Sequence, residues 1–457
     1  MARCVLEAHI ERPGGEMRTI YPTTVMIAIL AVVQPAAAQS PEITSYASTS
    51  RQDIRPEGAD LEALIAYAAS THPQLAQQHA SWGAVRAMAR ARDVRPNPMV
   101  SYMFAPLPVQ TRNGPLRQSV MVKQRLPWFG VTDQDRAIDE ARADVIAHRF
   151  DDAYLVLRYD IERAYWSTWE LDRQLDVLAR ELALLELIEQ SLTARVEAGL
   201  APAASLARLG LKHSKLTDRR AALGAARDAS LIRLNVALGA TEDLGIVVPA
   251  DTSPPGFDPP ADIEALIASA SPPALRELDA AIHARQEEAA RVELARRPDL
   301  EVGAQWSQIG KTQVGEMQTS GRDAVSLQVG VSLPIWTDSI DARADAANAR
   351  IVSQRAELEL ARARWAAEVR LTARRASDAR ERITYVQDTM LPRASSAIEL
   401  VRGDWEAGRA NLTDLLATID RVYELETQMH RARAELAKQG ARWRMLLGAT
   451  EAEAKTP

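Results

Sequence analysis

From Val131 through Ala198 the chain runs 68 residues without a glycine or a proline. The two residues that most readily end a helix are absent from a stretch that, wound at 1.5 Å per residue, spans about 100 Å. Within the run Leu171, Leu175, Leu178, Leu182, Leu185, Leu192 and Val196 recur at spacings of four and three, with Glu189 in the one slot lacking an apolar residue. A 3.5-residue period kept up this far predicts coiled-coil packing against neighbouring helices. Leu412, Leu415, Ile419, Val422, Met429, Leu436 and Trp443 hold the same register on a second segment.

The run ends at Glu197-Ala198-Gly199, and the same tripeptide returns at Glu406-Ala407-Gly408. It is one of five matches that occur twice in the same order. DLEALIAYAASTHPQL at 60–75 matches DIEALIASASPPAL at 262–275, and RPNPMVSYMF at 95–104 matches RPDLEVGAQW at 297–306. SVMVKQRLPWF at 119–129 matches SLQVGVSLPIW at 326–336, and LNVALG at 234–239 matches WRMLLG at 443–448. Constant order at near-constant offset means an internal duplication. The first copy spans 60–246 and the second 261–448, joined by the Pro-rich linker 247–260; a short tail, 449–457, follows.

Each copy reads helix, strand, strand, long helix, break, helix. Residues 61–94 form a helical stretch closed by Pro96 and Pro98. Strands are expected at 99–105 and 118–126, and again at 301–308 and 326–333. The clearest is 326–333, where Leu327, Val329 and Val331 alternate with small or polar residues. In its partner, Val302, Ala304 and Trp306 share one face, opposite Glu301, Gly303, Gln305 and Ser307. Polar loops, 107–117 and 309–323, separate the members of each pair. Long helices dominate the second copy too, from Thr337 through Leu391 and past Pro392 to the break. The fold class is mainly α with a small β part: tandem long helical hairpins, with tips near 199 and 408, plus four strands.

The amino-terminal sequence constrains the compartment. Arg18, the apolar run Val25–Val33 and Ala36-Ala37-Ala38 have the order of an export signal cut after Ala38. Residues 1–16 then precede the true start, and 39–59 form a flexible lead into the first copy. A short membrane anchor is the competing reading, but the run falls below the ~20 residues that spanning requires. Cys4, the only cysteine, would be lost with the signal, leaving no thiol ligand, nucleophile or lipid-anchor site. The net charge of −6 is evenly spread, so neither a nucleic-acid surface nor an acidic tail is indicated. No phosphate-binding glycine loop, paired metal-ligand histidines or CxxC occurs, so neither an enzyme nor a cofactor site is expected.

Four strands cannot close a barrel, and open sheet edges are not tolerated in lipid. Either the hairpins make a small sheet on an exported coiled-coil scaffold, or several chains pool strands into one outer-membrane wall with a lipid face and a water face. Tyr102, Phe104 and Trp306 fit either part of an aromatic girdle or ordinary core packing. Met99, Met103 and Met121 fit either gap filling or contact with soft metal ions in a lumen.

The duplicated layout, the Leu126-Pro127 and Leu333-Pro334 strand ends and the two glycine tips resemble the TolC-like outer membrane factor family of Gram-negative bacteria, over about residues 60–448. RPNP at 95–98 is most similar to the branch serving heavy-metal and cation pumps. The resemblance implies a homotrimer with a twelve-stranded β-barrel in the outer membrane and a helical tunnel through the periplasm. It implies the passive exit duct of a tripartite efflux system, coupled to a periplasmic adaptor and an inner-membrane pump of the proton-driven resistance-nodulation-division type. A protein-secretion duct served by an ATP-driven exporter is the alternative within the family. By the same resemblance the adaptor would dock at Val196, Glu197, Ala198, Gly199, Leu200 and Ala201 and at Trp405, Glu406, Ala407, Gly408, Arg409, Ala410 and Asn411. Asp414 matches the acidic ring that closes such tunnels, with Ser205 at the equivalent place in the first copy; relatives' second acid is Ala417 here. The plain alternatives are helix caps without a partner, and an exposed first-turn carboxylate.

Overall fold

A computed structural model describes residues 60–92, 96–249, 251–311 and 321–448. The expected export signal 1–38, the segment 39–59 and the tail 449–457 lie outside these residues, as does most of the loop 309–323. In the first copy α1 (Leu61–Thr71) and α2 (Pro73–Ala91) lead to β1 (Met99–Thr111) and β2 (Gly114–Leu126). They are followed by α3 (Val131–Glu197) and α4 (Ala203–Ala237). The second copy repeats the plan with α5 (Ile263–Ser269), α6 (Pro273–Leu294), β3 (Asp299–Ile309), β4 (Ala324–Ser332), α7 (Asp338–Tyr385), α8 (Leu391–Glu406) and α9 (Leu412–Leu447).

The long run is one helix of 67 residues, ending where the glycine predicts. Its counterpart is continuous through 338–406 but takes a π-turn at Val386–Met390 between α7 and α8. Pro392 supplies the reason. It lacks an N–H and its ring collides with the carbonyl four residues back, and a π-turn widens the ladder there. The Leu391 N–H reaches the Val386 carbonyl, five residues back.

Two expectations need correction. The stretch 61–94 is two helices, because His72 precedes Pro73 and is driven out of the α region to φ −68°, ψ 124°. His72 ends α1 and starts α2, its Nδ1 accepting the Gln74 N–H at 3.2 Å. The loop 107–117 is mostly strand: β1 runs to Thr111 and β2 begins at Gly114, leaving Arg112-Asn113 as the turn. Pro106 and Pro108 are accommodated because β1 is an edge strand and its register slips between Phe104 and Val109.

The four strands form one antiparallel meander in the order β1-β2-β3-β4. β2 and β3 come from different copies, so the sheet joins the two halves. The helices pack as a layer in which α3 contacts α2, α4, α6 and α9, and α7 contacts α6 and α9. Three of the four apolar clusters among the described residues make up most of the packing in this layer. One joins Leu64, Ile161, Tyr165, Trp166, Trp169 and Leu234; a second joins Leu275, Trp365, Val369 and Trp443 in the other copy. The third fills the coil toward the tips with Leu178, Leu182, Leu185, Leu192, Trp405, Leu412, Leu415 and Ile419. Glu189 is exposed and Ile188 is buried beside its slot, so the heptad drifts by one residue there. The Pro-rich segment between the copies is pinned rather than loose: Val248 is buried, Phe257 packs on Trp443, and the Thr252 carbonyl accepts the Trp169 indole N–H at 2.8 Å.

Among the described residues no helix is long and apolar enough to cross a membrane.

Candidate functional site

Two regions carry chemistry that helix packing does not use: the sheet and the paired tips at the far end of the long helices.

The register sorts the strand residues into two faces, because directly paired residues point the same way. Val100, Val122, Ala304 and Leu327 form one row; Tyr102, Val120, Trp306 and Val325 form the next. Leu126, Leu300 and Val331 end the same face on the helix side; Val302 and Val329 lie between, with Gln124 the polar member of their row. This face is apolar and open: Val325, Leu327, Val329 and Val331 are 51% to 82% exposed. Tyr102 and Trp306 share a row and Phe104 stands in the next one out, so the three aromatics gather at the outer margin. There the Tyr102 hydroxyl donates to Gln118 and the Gln118 amide to Gln308, each at 2.7 Å. A second set of aromatics, missed from sequence, stands where the strands meet the helices: Trp128 and Phe129 in edge-to-face contact, and Trp336, 81% exposed. The repeated Leu-Pro-aromatic strand endings were the available signal.

The opposite face carries Ser101, Lys123, Glu301, Gln305, Ser326 and Gln328. Lys123 pairs with Glu301 at 3.0 Å, and Arg125 with Asp299. Met121 lies opposite Ser101, with Met99 and Met103 one step to either side, so all three methionines belong to this polar face. Among the described residues no group of three or more His, Cys, Asp or Glu is placed to hold a metal.

The tips are built alike. Gly199 takes φ +70° and Gly408 φ +75°. The Gly199 N–H bonds the Val196 carbonyl and the Leu200 N–H the Arg195 carbonyl; Gly408 to Trp405 and Arg409 to Asp404 repeat the pattern. This double bond over a left-handed residue is the Schellman ending, which favours glycine. Glu197, Ala198, Gly199 and Leu200 are exposed, as are Glu406, Ala407, Gly408, Arg409 and Asn411; Val196, Ala201 and Ala410 are half-buried. Trp405 departs from the expected docking surface. It is 6% exposed and packs inside the coil. Arg409 folds back on Asp404 at 2.7 Å, within its own tip.

Arg195 is the tip residue that sequence reasoning did not find. Its guanidinium lies 4.4 Å from the centre of the Trp405 ring and donates to the carbonyls of Trp405 and Glu406 at 2.8 and 2.7 Å. Those carbonyls belong to the last turn of α8, where helices leave acceptors short of donors; that of Trp405 also takes the Gly408 N–H. One side chain of the first copy therefore caps the second copy's helix.

Asp414 lies in the first turn of α9, whose N-cap Asn411 accepts the Asp414 N–H at 3.0 Å. Its carboxylate is exposed and has no partner among the described residues. Ser205 occupies the first turn of α4, half-buried. Behind them Lys212 bridges Glu181, at 3.2 Å, and Asp420. Burial holds the Glu181 carboxyl above the usual range, with Lys212 opposing.

A Cβ added at Gly408 or Gly199 meets nothing within 4 Å, so the cost of replacing either glycine by alanine is mainly backbone strain, about 1–2 kcal/mol. The expected outcome is local loosening of the tip, read as faster amide exchange at 404–411 or 195–201, with the sheet unchanged; unchanged exchange at the tips would mean that the left-handed glycine does not hold them.

No protein-family model and no curated protein matches the sequence. Solved structures do. CusC is matched with a TM-score of 0.72 at 14% identity, covering 86% of this chain and 93% of that one. The outer membrane protein VceC of Vibrio cholerae gives 0.71 at 14%, covering 85% and 96%. The open-state MtrE outer membrane channel of Neisseria gonorrhoeae gives 0.69 at 16%, covering 85% and 89%. The chain has the fold of these outer-membrane proteins over nearly their whole length.

Proposed function

We propose that three copies of this chain assemble into an outer-membrane channel, the passive exit duct of a tripartite efflux system. The observation that carries this reading is the sheet: one face apolar and exposed, bordered by aromatics at both margins, with β1 and β4 left as open edges. From the Leu300 row to the Phe104 row the strands rise about 26 Å. Tilted as barrel strands are, that is close to the apolar band of about 25 Å in outer-membrane barrels. An open edge in lipid strands unpaired N–H and C=O groups, so the edges must be joined. β1 and β4 run in opposite directions, as antiparallel closure between copies requires. Three copies give twelve strands and place the polar face around a lumen.

The helices then form the tunnel, and the tips meet a periplasmic adaptor through the exposed residues flanking Gly199 and Gly408. Asp414 of three copies would ring the axis and attract cations while repelling anions. With no nucleotide-binding motif in the chain, the driving energy is assigned to an inner-membrane pump, of resistance-nodulation-division type by resemblance.

The mature protein is expected in outer-membrane fractions as a heat-sensitive trimer that conducts ions across planar bilayers. Recovery as a soluble periplasmic monomer would overturn the proposal. In the same bilayers Asp414→Ala is expected to raise conductance and weaken block by multivalent cations; an unchanged trace would return Asp414 to a plain first-turn residue.

A further inference from the structure

The sheet treats its cations differently at its two ends. Near the helices Lys123 and Arg125 each pair with a carboxylate across the strands. At the far end Arg112, Arg117, Lys311 and Arg322 are exposed, and none has an ion pair with a described residue. The only acid described there, Asp323, accepts the Ile309 N–H at 3.2 Å. Residues 312–320 between the strands add one acid, Glu316, and no base.

These four cations stand on one laced knot. The Gly310 N–H bonds the Pro115 carbonyl at 2.8 Å, and the Gly321 N–H bonds the Asn113 carbonyl at 3.1 Å. The Arg117 side chain lies over Gly310, its Nε 2.9 Å from where a Cβ would stand. The Lys311 chain lies over Gly321 in the same way, its Cγ at 2.7 Å. Arg112 and Arg322 adjoin Asn113 and Gly321 directly. The backbone bonds that tie the two hairpins thus gather four positive charges that have no ion pair among the described residues. Arg117 follows the Gln118 row by one residue and Lys311 follows the Gln308 row by three, so both lie within about 10 Å of the aromatic margin. In the proposed membrane orientation that is headgroup depth on the outer side.

We propose that this cap binds the phosphate groups of the outer-leaflet lipopolysaccharide. The inference rests on the outer-membrane reading above. Guanidinium forks take phosphate oxygens in pairs, and lysine adds a point charge. Basic residues at an anionic lipid surface act together. Three copies would set twelve cations around the rim and tie the barrel to its leaflet.

The test uses the detergent-purified trimer and immobilised lipopolysaccharide, intact or enzymatically dephosphorylated. Intact lipid is expected to bind, and binding to fall by about tenfold or more on dephosphorylation. Replacing Arg112, Arg117, Lys311 and Arg322 together by Gln is expected to cause the same fall, with Arg112→Gln/Arg322→Gln and Arg117→Gln/Lys311→Gln each showing part of it. The control Lys123→Gln/Arg125→Gln retains binding. Equal binding by the fourfold variant or by dephosphorylated lipid overturns the proposal. Full competition by millimolar inorganic phosphate also overturns it, marking a small-anion site. Bilayer conductance separates the two readings: a conducting wild-type trimer indifferent to the lipid sinks only the rim, and a wild type that never conducts sinks the channel.

Discussion

Leu327→Arg is expected to abolish assembly in the outer membrane, while Gln328→Arg one residue along is tolerated. Leu327 is 82% exposed in the row with Val100, Val122 and Ala304, midway along the apolar face. A basic side chain at that depth of a barrel's lipid face costs about 2–4 kcal/mol, and a trimer incurs it three times. Gln328 points to the other face, opposite Gly303, where water would solvate the guanidinium. The measurement is the heat-sensitive trimer band in membrane fractions for the two variants. Equal assembly of both would mean that neither face meets lipid, and would leave the exported coiled-coil scaffold as the better account.

Trp405→Ala should loosen the lower coil and stop export without touching the sheet. The indole is buried among Leu185, Leu192, Leu412 and Leu415 beneath the Arg195 guanidinium. Removing it costs about 3–5 kcal/mol in packing and cavity. The cation–π contact, worth about 0.5–2 kcal/mol, goes with it. The loss falls on a unit already bordered by a cleft lined by Leu184, Leu187, Ile188 and Ile398. Amide protection over 178–197 and 404–419 is expected to fall by about a hundredfold or more, since local opening free energy sets exchange. Trp405→Phe keeps most of the packing and is expected to keep most of the protection. If Trp405→Ala exchanged like the parent, the third cluster would not hold the tips.

These two expectations differ in how early they were visible. The faces of β3 and β4 follow from alternation in 301–308 and 326–333, and the register confirms them residue by residue. The length of α3, the duplication and the positive φ at both tips were equally legible, because each depends on local sequence: a missing glycine, a repeated motif, a residue without a Cβ. The outer aromatic margin was half visible. Tyr102, Phe104 and Trp306 could be named, but their grouping needed the pairing of β1 with β2 and β2 with β3.

Other features depended on partners distant in sequence. Nothing near Arg195 announces that it caps a helix 210 positions later, or that Trp405 is buried beside it. The knot at the sheet's far end exists only because β2 and β3, from different copies, lie side by side. The π-turn before Pro392 keeps the helix continuous past a proline, in a segment that packs against α9. Sequence by itself determined the order and type of the main elements and the two faces of the strands, since backbone geometry converts residue spacing directly into direction, but not where every helix and strand begins and ends. Tertiary structure alone decided which tip residues are buried, which charges are paired and which remain open, because those depend on distances between segments that no local period encodes.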